Sequence, residues 1–183
     1  MISDTDRVGY IGASDTHYVM MNWDTQTFRS WWEIKVGERE NELDTIYTRA
    51  GRIYEPKILD YLEIEERDRQ IIVGRLRVNL DGETRTHVIE IKTAKYGSLK
   101  IPKNIKKWAY WQQVQVEMYA TNKQHAFIYV YELLPSDYEE VNEIDGNRLE
   151  LFDFDYDEEW IEEEYLPRFH KLGERFESIA KED

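Results

Sequence analysis

Apolar positions recur every three to four residues between Phe28 and Ile34, where Phe28, Trp31, Trp32 and Ile34 mark a helix. The same period returns from about Thr45 to Glu65, with Ile53, Ile58, Leu59 and Leu62 at core-facing spacing. Pro56 lies inside that second segment and predicts either a fresh first turn or a kink. Ahead of both, Ser14 or Asp15 can cap a short helix running through Met21. From Gln70 the period changes. Ile, Val and Leu with some alternation up to Leu80 read as a strand, Thr86 to Thr93 as a second, and the two as an antiparallel hairpin. A helix opening at Lys103-Asn104 carries Trp108, Trp111, Val114 and Met118 to about Ala120. The apolar run Ala126 to Leu134 is long enough only for a buried strand, and Leu149 to Tyr156 alternates like a half-exposed one. Glu158 to Ala180 reads as an amphipathic helix. Strands with helices on both sides predict an α/β fold with a mixed central sheet, and no repeat or linker divides residues 1–183, which predicts one domain.

Composition narrows the classes. The chain has no cysteine, which excludes a disulfide scaffold, a thiolate zinc site and a cysteine nucleophile. It has no apolar run of the roughly 20 residues a membrane helix needs and no apolar leader, so the expectation is a cytoplasmic protein away from membranes. The net charge of −14 argues at first against a nucleic-acid partner. Its distribution changes the picture, because Asp137 to Glu164 holds fourteen acids and one base, Arg148, and so carries −13 of that total. Between Lys92 and Lys107 stand lysines 92, 95, 100, 103, 106 and 107 with no acid among them. A near-neutral body with a basic strip and an acidic flank can bind DNA on one face, although such a strip is as often simply solvated.

The candidate chemistry centres on Asp81-Gly82, followed at Glu90-Ile91-Lys92 by two charged side chains on one strand face. A hairpin turning near Thr84 to Thr86 would set Asp81 beside Glu90. Two carboxylates and an ammonium would then share one small site, with carboxylates suited to Mg²⁺ and a lysine able to orient or deprotonate water. Taken alone the triplet is weak. Glu and Lys alternate on many wet strand faces, and an Asp-Gly turn would carry Asp81 away from Glu90. Glu90 and Lys92, however, alternate with Ile89 and Ile91 where the strand should be central, and charges there need a reason. The four histidines show no ligand spacing, and of the six tryptophans only Trp108 and Trp111 lie beside the lysine strip, near enough to be considered for DNA.

With these residues in place the chain resembles the family of phage lambda exonuclease and the YqaJ-type viral recombination nucleases, a branch of the PD-(D/E)xK superfamily. Five pieces match in order. Arg7 and the string Ile11-Gly12-Ala13-Ser14-Asp15 resemble the family's opening, whose arginine and serine help hold a 5′-phosphate. Gly51-Arg52-Ile53-Tyr54-Glu55-Pro56 resembles the helical motif whose glutamate joins the metal site. Asp81-Gly82 with Glu90-Ile91-Lys92-Thr93 resembles the metal-binding hairpin. Gln113-Val114-Gln115 before Met118 resembles the helix whose first glutamine lines the active site. Leu149 to Phe154 and the acidic helix after it resemble the closing strand and helix.

The resemblance implies a restriction-endonuclease-like core and a DNA nuclease using two Mg²⁺ ions, with Mn²⁺ able to substitute. It implies metal ligation by Glu55, Asp81, Glu90 and the Ile91 carbonyl, with Lys92 and Gln113 completing the catalytic set. Arg7 and Ser14 would hold a 5′-phosphate, with Lys95, Lys100, Lys103, Lys106 and Lys107 as further DNA contacts. The activity implied is 5′-to-3′ digestion of duplex DNA ends in phage-type recombination beside a single-strand annealing protein. Ring-shaped trimers are also implied, although the chain is short for the family. Rival readings are an endonuclease on the same scaffold, an RNA nuclease, and a non-catalytic acidic module that mimics DNA. Gln113 and Gln115, two apart on a helix, cannot share a face, so Gln115 is left to packing or DNA contact.

Overall fold

The structure, a computed structural model, describes residues 8–40 and 45–179. Its strands are β1 (Ile11–Gly12), β2 (Glu66–Arg67), β3 (Gln70–Val73), β4 (Leu76–Asn79), β5 (Gly82–Glu83), β6 (His87–Lys95), β7 (His125–Leu133) and β8 (Leu149–Asp155). Its α-helices are α1 (Thr16–Met20), α2 (Gln26–Val36), α3 (Ile46–Tyr61), α4 (Ala109–Thr121), α5 (Glu158–Trp160) and α6 (Leu166–Ile179). One sheet has the order β2-β5-β6-β7-β8, the other β1-β4-β3. β6 runs parallel to β7 and antiparallel to β5, so the larger sheet is mixed.

Strand alternation sorts β6 between two cores. Ile89 and Ile91 join Ala50, Tyr54, Ile58 and Leu59 of α3 on one face. Val88 joins Trp111, Val114 and Met118 of α4 on the other, together with Ala126, Ile128 and Val130 of β7. Glu90 and Lys92 share the parity of Val88 and therefore lie on the α4 side. Each apolar face costs water contact when left open, so covering both holds α3 and α4 against the same strand.

Several expectations change here. Gln70 to Leu80 is not one strand but a hairpin of β3 and β4, turned at Gly74, whose φ of 58° suits glycine. The partner of β6 is instead the short β5, paired Gly82 to Ile89 and Glu83 to Val88, with the turn from Thr84 to His87. Gly82 is thus no turn residue. A Cβ there would stand 2.9 Å from Ile64 Cγ2 and 3.1 Å from Leu59 Cδ2, so glycine is needed for close packing against the end of α3. Pro56 does not open a new first turn, because α3 runs through it from Ile46 to Tyr61. It is exposed, so the carbonyl that loses its partner can turn to water. Ile53 is exposed rather than core-facing, and Ala50 and Tyr54 take that role.

Trp108 and Trp111 are buried in the core, which removes them as DNA contacts. Residues 105–107 form a separate 3-10 turn before α4, with Asn104 as its cap. The closing helix is interrupted by a π turn, Ile161–Tyr165. The wider turn lets Trp160 and Tyr165, five apart, face the same core and stack with ring centroids 6.1 Å apart. No helix among the described residues is long and apolar enough to cross a membrane.

Candidate active site

The pairing of β5 with β6 stops at Ile89, so from Glu90 onward β6 presents an open edge toward the β4–β5 junction. Asp81 sits in that junction and its Oδ2 accepts the Ile91 N–H at 2.8 Å. N–H and C=O of one strand residue point to the same side, so the Ile91 carbonyl also faces this edge. Glu90 is 1% exposed. Its Oε1 accepts from Lys92 Nζ at 2.5 Å and from Gln113 Nε2 at 2.7 Å. The Lys92 ammonium also lies 5.4 Å from the centre of the Tyr110 ring.

Helix α4 is buried nearly all round and still carries four polar side chains at Gln112, Gln113, Gln115 and Glu117. Gln115 spans the end of β8, donating to the Asp155 carbonyl at 2.9 Å and accepting from the Asp157 N–H at 2.7 Å, and so belongs to packing. Gln113 faces the site. One turn later Glu117, fully buried, accepts the second Gln113 N–H at 2.8 Å. Glu90 Oε2 and Glu117 Oε2 have no hydrogen-bond partner among the described residues.

A cleft of about 210 Å³ is lined by Asp81, Glu90, Lys92, Gln113 and Glu117 together with Ser14, Lys35 and Arg77. Ser14 is exposed and lines the cleft as well. It caps nothing. Asp15 instead accepts the Gly12 N–H at 2.7 Å, Trp31 Nε1 at 3.0 Å and Lys35 Nζ at 2.5 Å, which ties this turn to α2. Glu55 does not line the cleft. It reaches the neighbourhood from the α3 side of the sheet, close enough to feel Glu90 and Lys92. Lys95, Lys100, Lys103, Lys106 and Lys107 are all exposed, and Lys106 is held by Asp157 at 2.7 Å. Glu159, Glu163 and Glu164 share a groove with Lys106 and Lys107, so part of the acidic stretch borders the basic strip. Arg7 lies outside the described residues.

Crowded carboxylates shift one another. Burial pushes the Asp81 and Glu117 carboxyls well above their ordinary values, and the neighbouring Glu90 charge adds to both. Glu55 is raised too, by burial and then by Glu90 and Asp68. Burial alone would lower Lys92, but Glu90 and then Asp81 outweigh it and raise the ammonium above its usual range. Without a bound cation Lys92 is therefore the charged partner of Glu90.

The donor set fits a hard divalent cation. It offers oxygen only, an uncapped Glu90 oxygen, and carboxylates whose mutual repulsion a cation relieves. Among the described residues no three acidic or imidazole groups stand together as a ready-made cage. Mg²⁺ commonly takes only one or two carboxylates and completes its shell with water and phosphate.

This electrostatic strain has a measurable sign. A carboxyl whose pKa is raised by folding binds its proton more tightly in the native state, so the stability it confers is present below the unfolded value near about 4 and is lost as pH rises through the folded value. Lys92, raised above its usual range, contributes no change in that window. In EDTA the melting temperature is expected to fall as pH rises above the ordinary carboxylate range. Glu117→Gln should flatten that fall, because it removes the buried charge. Equal slopes in thermal scans of both proteins would show that Glu117 carries no such penalty.

Arg77, Asn79 and Glu117 escaped the sequence reading. A signal existed for each, since 77, 79 and 81 share strand parity and Glu117 follows Gln113 by one helical turn.

A mixed sheet flanked by helices, with an acid at a strand junction facing an acid and a lysine two apart on the central strand, is the restriction-endonuclease-like architecture. The chain matches the YqaJ-like viral recombinase domain over residues 4–124, and it belongs to that family. It is similar in fold to an alkaline exonuclease, LHK-Exo, from Laribacter hongkongensis, with 18% identity, a TM-score of 0.64 and coverage of 97% of this chain and 95% of that one. It is likewise similar to a phage-related exonuclease from Haemophilus somnus 129PT, with 14% identity, a TM-score of 0.74 and 98% of each chain covered. No curated protein sequence matches it.

Proposed function

We propose that this chain is a divalent-cation-dependent deoxyribonuclease that digests linear duplex DNA from 5′ ends. The observation that carries the reading is the single cleft lined by Asp81, Glu90 and Lys92 together with Ser14 and Arg77. LHK-Exo and the Haemophilus somnus protein, both similar in fold, are exonucleases, and LHK-Exo has been solved in complex with dAMP, which supports a nucleotide ligand.

Asp81, Glu90 and the Ile91 carbonyl would hold Mg²⁺, with Glu55 approaching from α3. When bound, the ion polarises the phosphoryl oxygens and lowers the pKa of its water. Lys92 keeps its proton and directs it at the negative charge that develops on the phosphate. Gln113 presents an amide to the same space. In the same cleft Ser14 and Arg77, together with Arg7 as the resemblance implies, would take the 5′-phosphate, since guanidinium groups offer paired donors to a dianion. Every cut leaves a new 5′-phosphate on the shortened strand, so the same contacts re-engage as digestion proceeds.

The test uses end-labelled linear duplex with 5′-phosphate or 5′-hydroxyl, and closed circular plasmid, each in Mg²⁺ or EDTA. Phosphorylated ends should be digested roughly tenfold faster or more, the scale of charged hydrogen bonds. Arg7→Ala should reduce that preference while cleavage persists. Equal rates on both ends for both proteins would exclude the phosphate site, and cutting of closed circles would make the enzyme an endonuclease.

A further inference from the structure

We propose that Glu117 is a positioning residue that fixes the polarity of the Gln113 side-chain amide, so that its carbonyl oxygen and not its NH₂ group faces the cleft. The inference rests on the nuclease reading above. An amide has two chemically opposite ends, and only its surroundings decide which one a site sees. Here both N–H bonds are committed, one to Glu90 Oε1 at 2.7 Å and one to Glu117 Oε1 at 2.8 Å. The reversed amide would set an oxygen against two carboxylate oxygens.

With its NH₂ group engaged, Gln113 has Oε1 left to accept. Glu90 Oε2 and Glu117 Oε2 are among the sealed, unpartnered atoms of the described residues, whereas Gln113 Oε1 is not, and the residue lines the cleft. The site is thereby given a neutral acceptor, able to take a hydrogen bond from a water molecule beside Lys92. Glu90 alone would be a poor anchor for this orientation. It already receives Lys92 on the same oxygen and is claimed by the cation in the proposed reaction. Among the described residues no other donor bonds to Glu117 Oε1. Full burial of a carboxylate with one bare oxygen is unfavourable, and setting the amide is a function that accounts for its presence.

The test compares Glu117→Gln, which keeps an acceptor for the Gln113 N–H, with Glu117→Met, which keeps the volume and removes it. Glu117→Met should lower kcat on phosphorylated linear duplex by about tenfold or more through misplaced water, with KM for DNA nearly unchanged. Glu117→Gln should restore kcat to within about threefold. In a Gln113→Met background, Glu117→Met should add no further loss, because it acts through Gln113. An independent readout is the side-chain ¹⁵N–¹H spectrum of the metal-free protein, assigned by loss of the Gln113 signals in Gln113→Met. Both Gln113 amide protons should lie downfield in wild type, and one should return upfield in Glu117→Met. Wild-type kcat in Glu117→Met, additive losses in the double variant, or ordinary Gln113 shifts in wild type would each overturn the proposal. So would a Glu117→Gln protein as slow as Glu117→Met with weakened Mg²⁺ binding, which would make Glu117 a cation ligand. A wild-type protein inert on DNA would sink the nuclease reading, while the spectrum would still decide the amide.

Discussion

Lys92→Ala is expected to lower Mg²⁺-dependent hydrolysis of linear duplex DNA by at least about a hundredfold, the usual scale for losing one group that stabilises developing charge. The side chain has two roles in this geometry. It supplies the only ammonium within 2.5 Å of Glu90 among the described residues, and it offsets the repulsion among Asp81, Glu90 and Glu117. Its removal should therefore also lower the melting temperature of the metal-free protein and enlarge the increase that Mg²⁺ produces. Those two effects separate the proposed site from a surface ion pair, whose loss costs at most about 1 kcal/mol and is insensitive to the cation. Cleavage rates and thermal scans with and without EDTA check both. A folded Lys92→Ala protein with near wild-type cleavage would remove Lys92 from the chemistry, and one with an unchanged metal-free melting point would remove it from the electrostatic balance.

The largest loss of stability should come from a residue in the acidic stretch. Asp137 is 4% exposed and binds inward. Its Oδ1 accepts from Tyr54 Oη at 3.2 Å and Asn142 Nδ2 at 3.0 Å, and its Oδ2 accepts from the Leu134 N–H at 2.8 Å and forms the ion pair with Arg148. Burial opposes the charge, but Arg148, Leu134 and Asn142 prevail and hold the carboxyl below its ordinary value. Removing one partner strands the other, so Asp137→Ala should cost about 3–5 kcal/mol. For a chain of this size that is a drop in melting temperature on the order of 10 °C. Tyr54 belongs to α3 and precedes Glu55, so the same change should loosen the approach of Glu55 to the site. A calorimetric shift of only a degree or two would show that water replaces the carboxylate at no cost.

Asp137 also shows why charge counted along the chain misleads. The stretch from Asp137 to Glu164 reads as one solvated acidic flank, yet Asp137 staples α3 to the end of β7 while Asp157 grips Lys106. Glu163 and Glu164 border the lysine strip. Spacing cannot reveal this, because segment order says nothing about which loops meet.

The elements with a strong period were legible from residues alone. β6 and β7 announce themselves by β-branched runs, α2 and α4 by aromatic spacing, and the Glu90-Ile91-Lys92 alternation places both charges on one face because side chains along a strand alternate. Resemblance extended that reading to Glu55 and Gln113. What the local pattern could not decide were the partners. Gln70 to Leu80 folds back on itself because Gly74 permits a turn, and the partner of β6 is the two-residue β5, too short to carry a period. Asp81-Gly82 has the composition of a turn, and only the proximity of Ile64 and Leu59 shows that the glycine serves packing. Glu117 reads as one more acid on a helix until α4 is buried on every side. Residue order alone sets which positions alternate and which recur. The tertiary structure decided which of those faces are covered, and a carboxylate becomes part of a site only when burial denies it water and brings a second charge beside it.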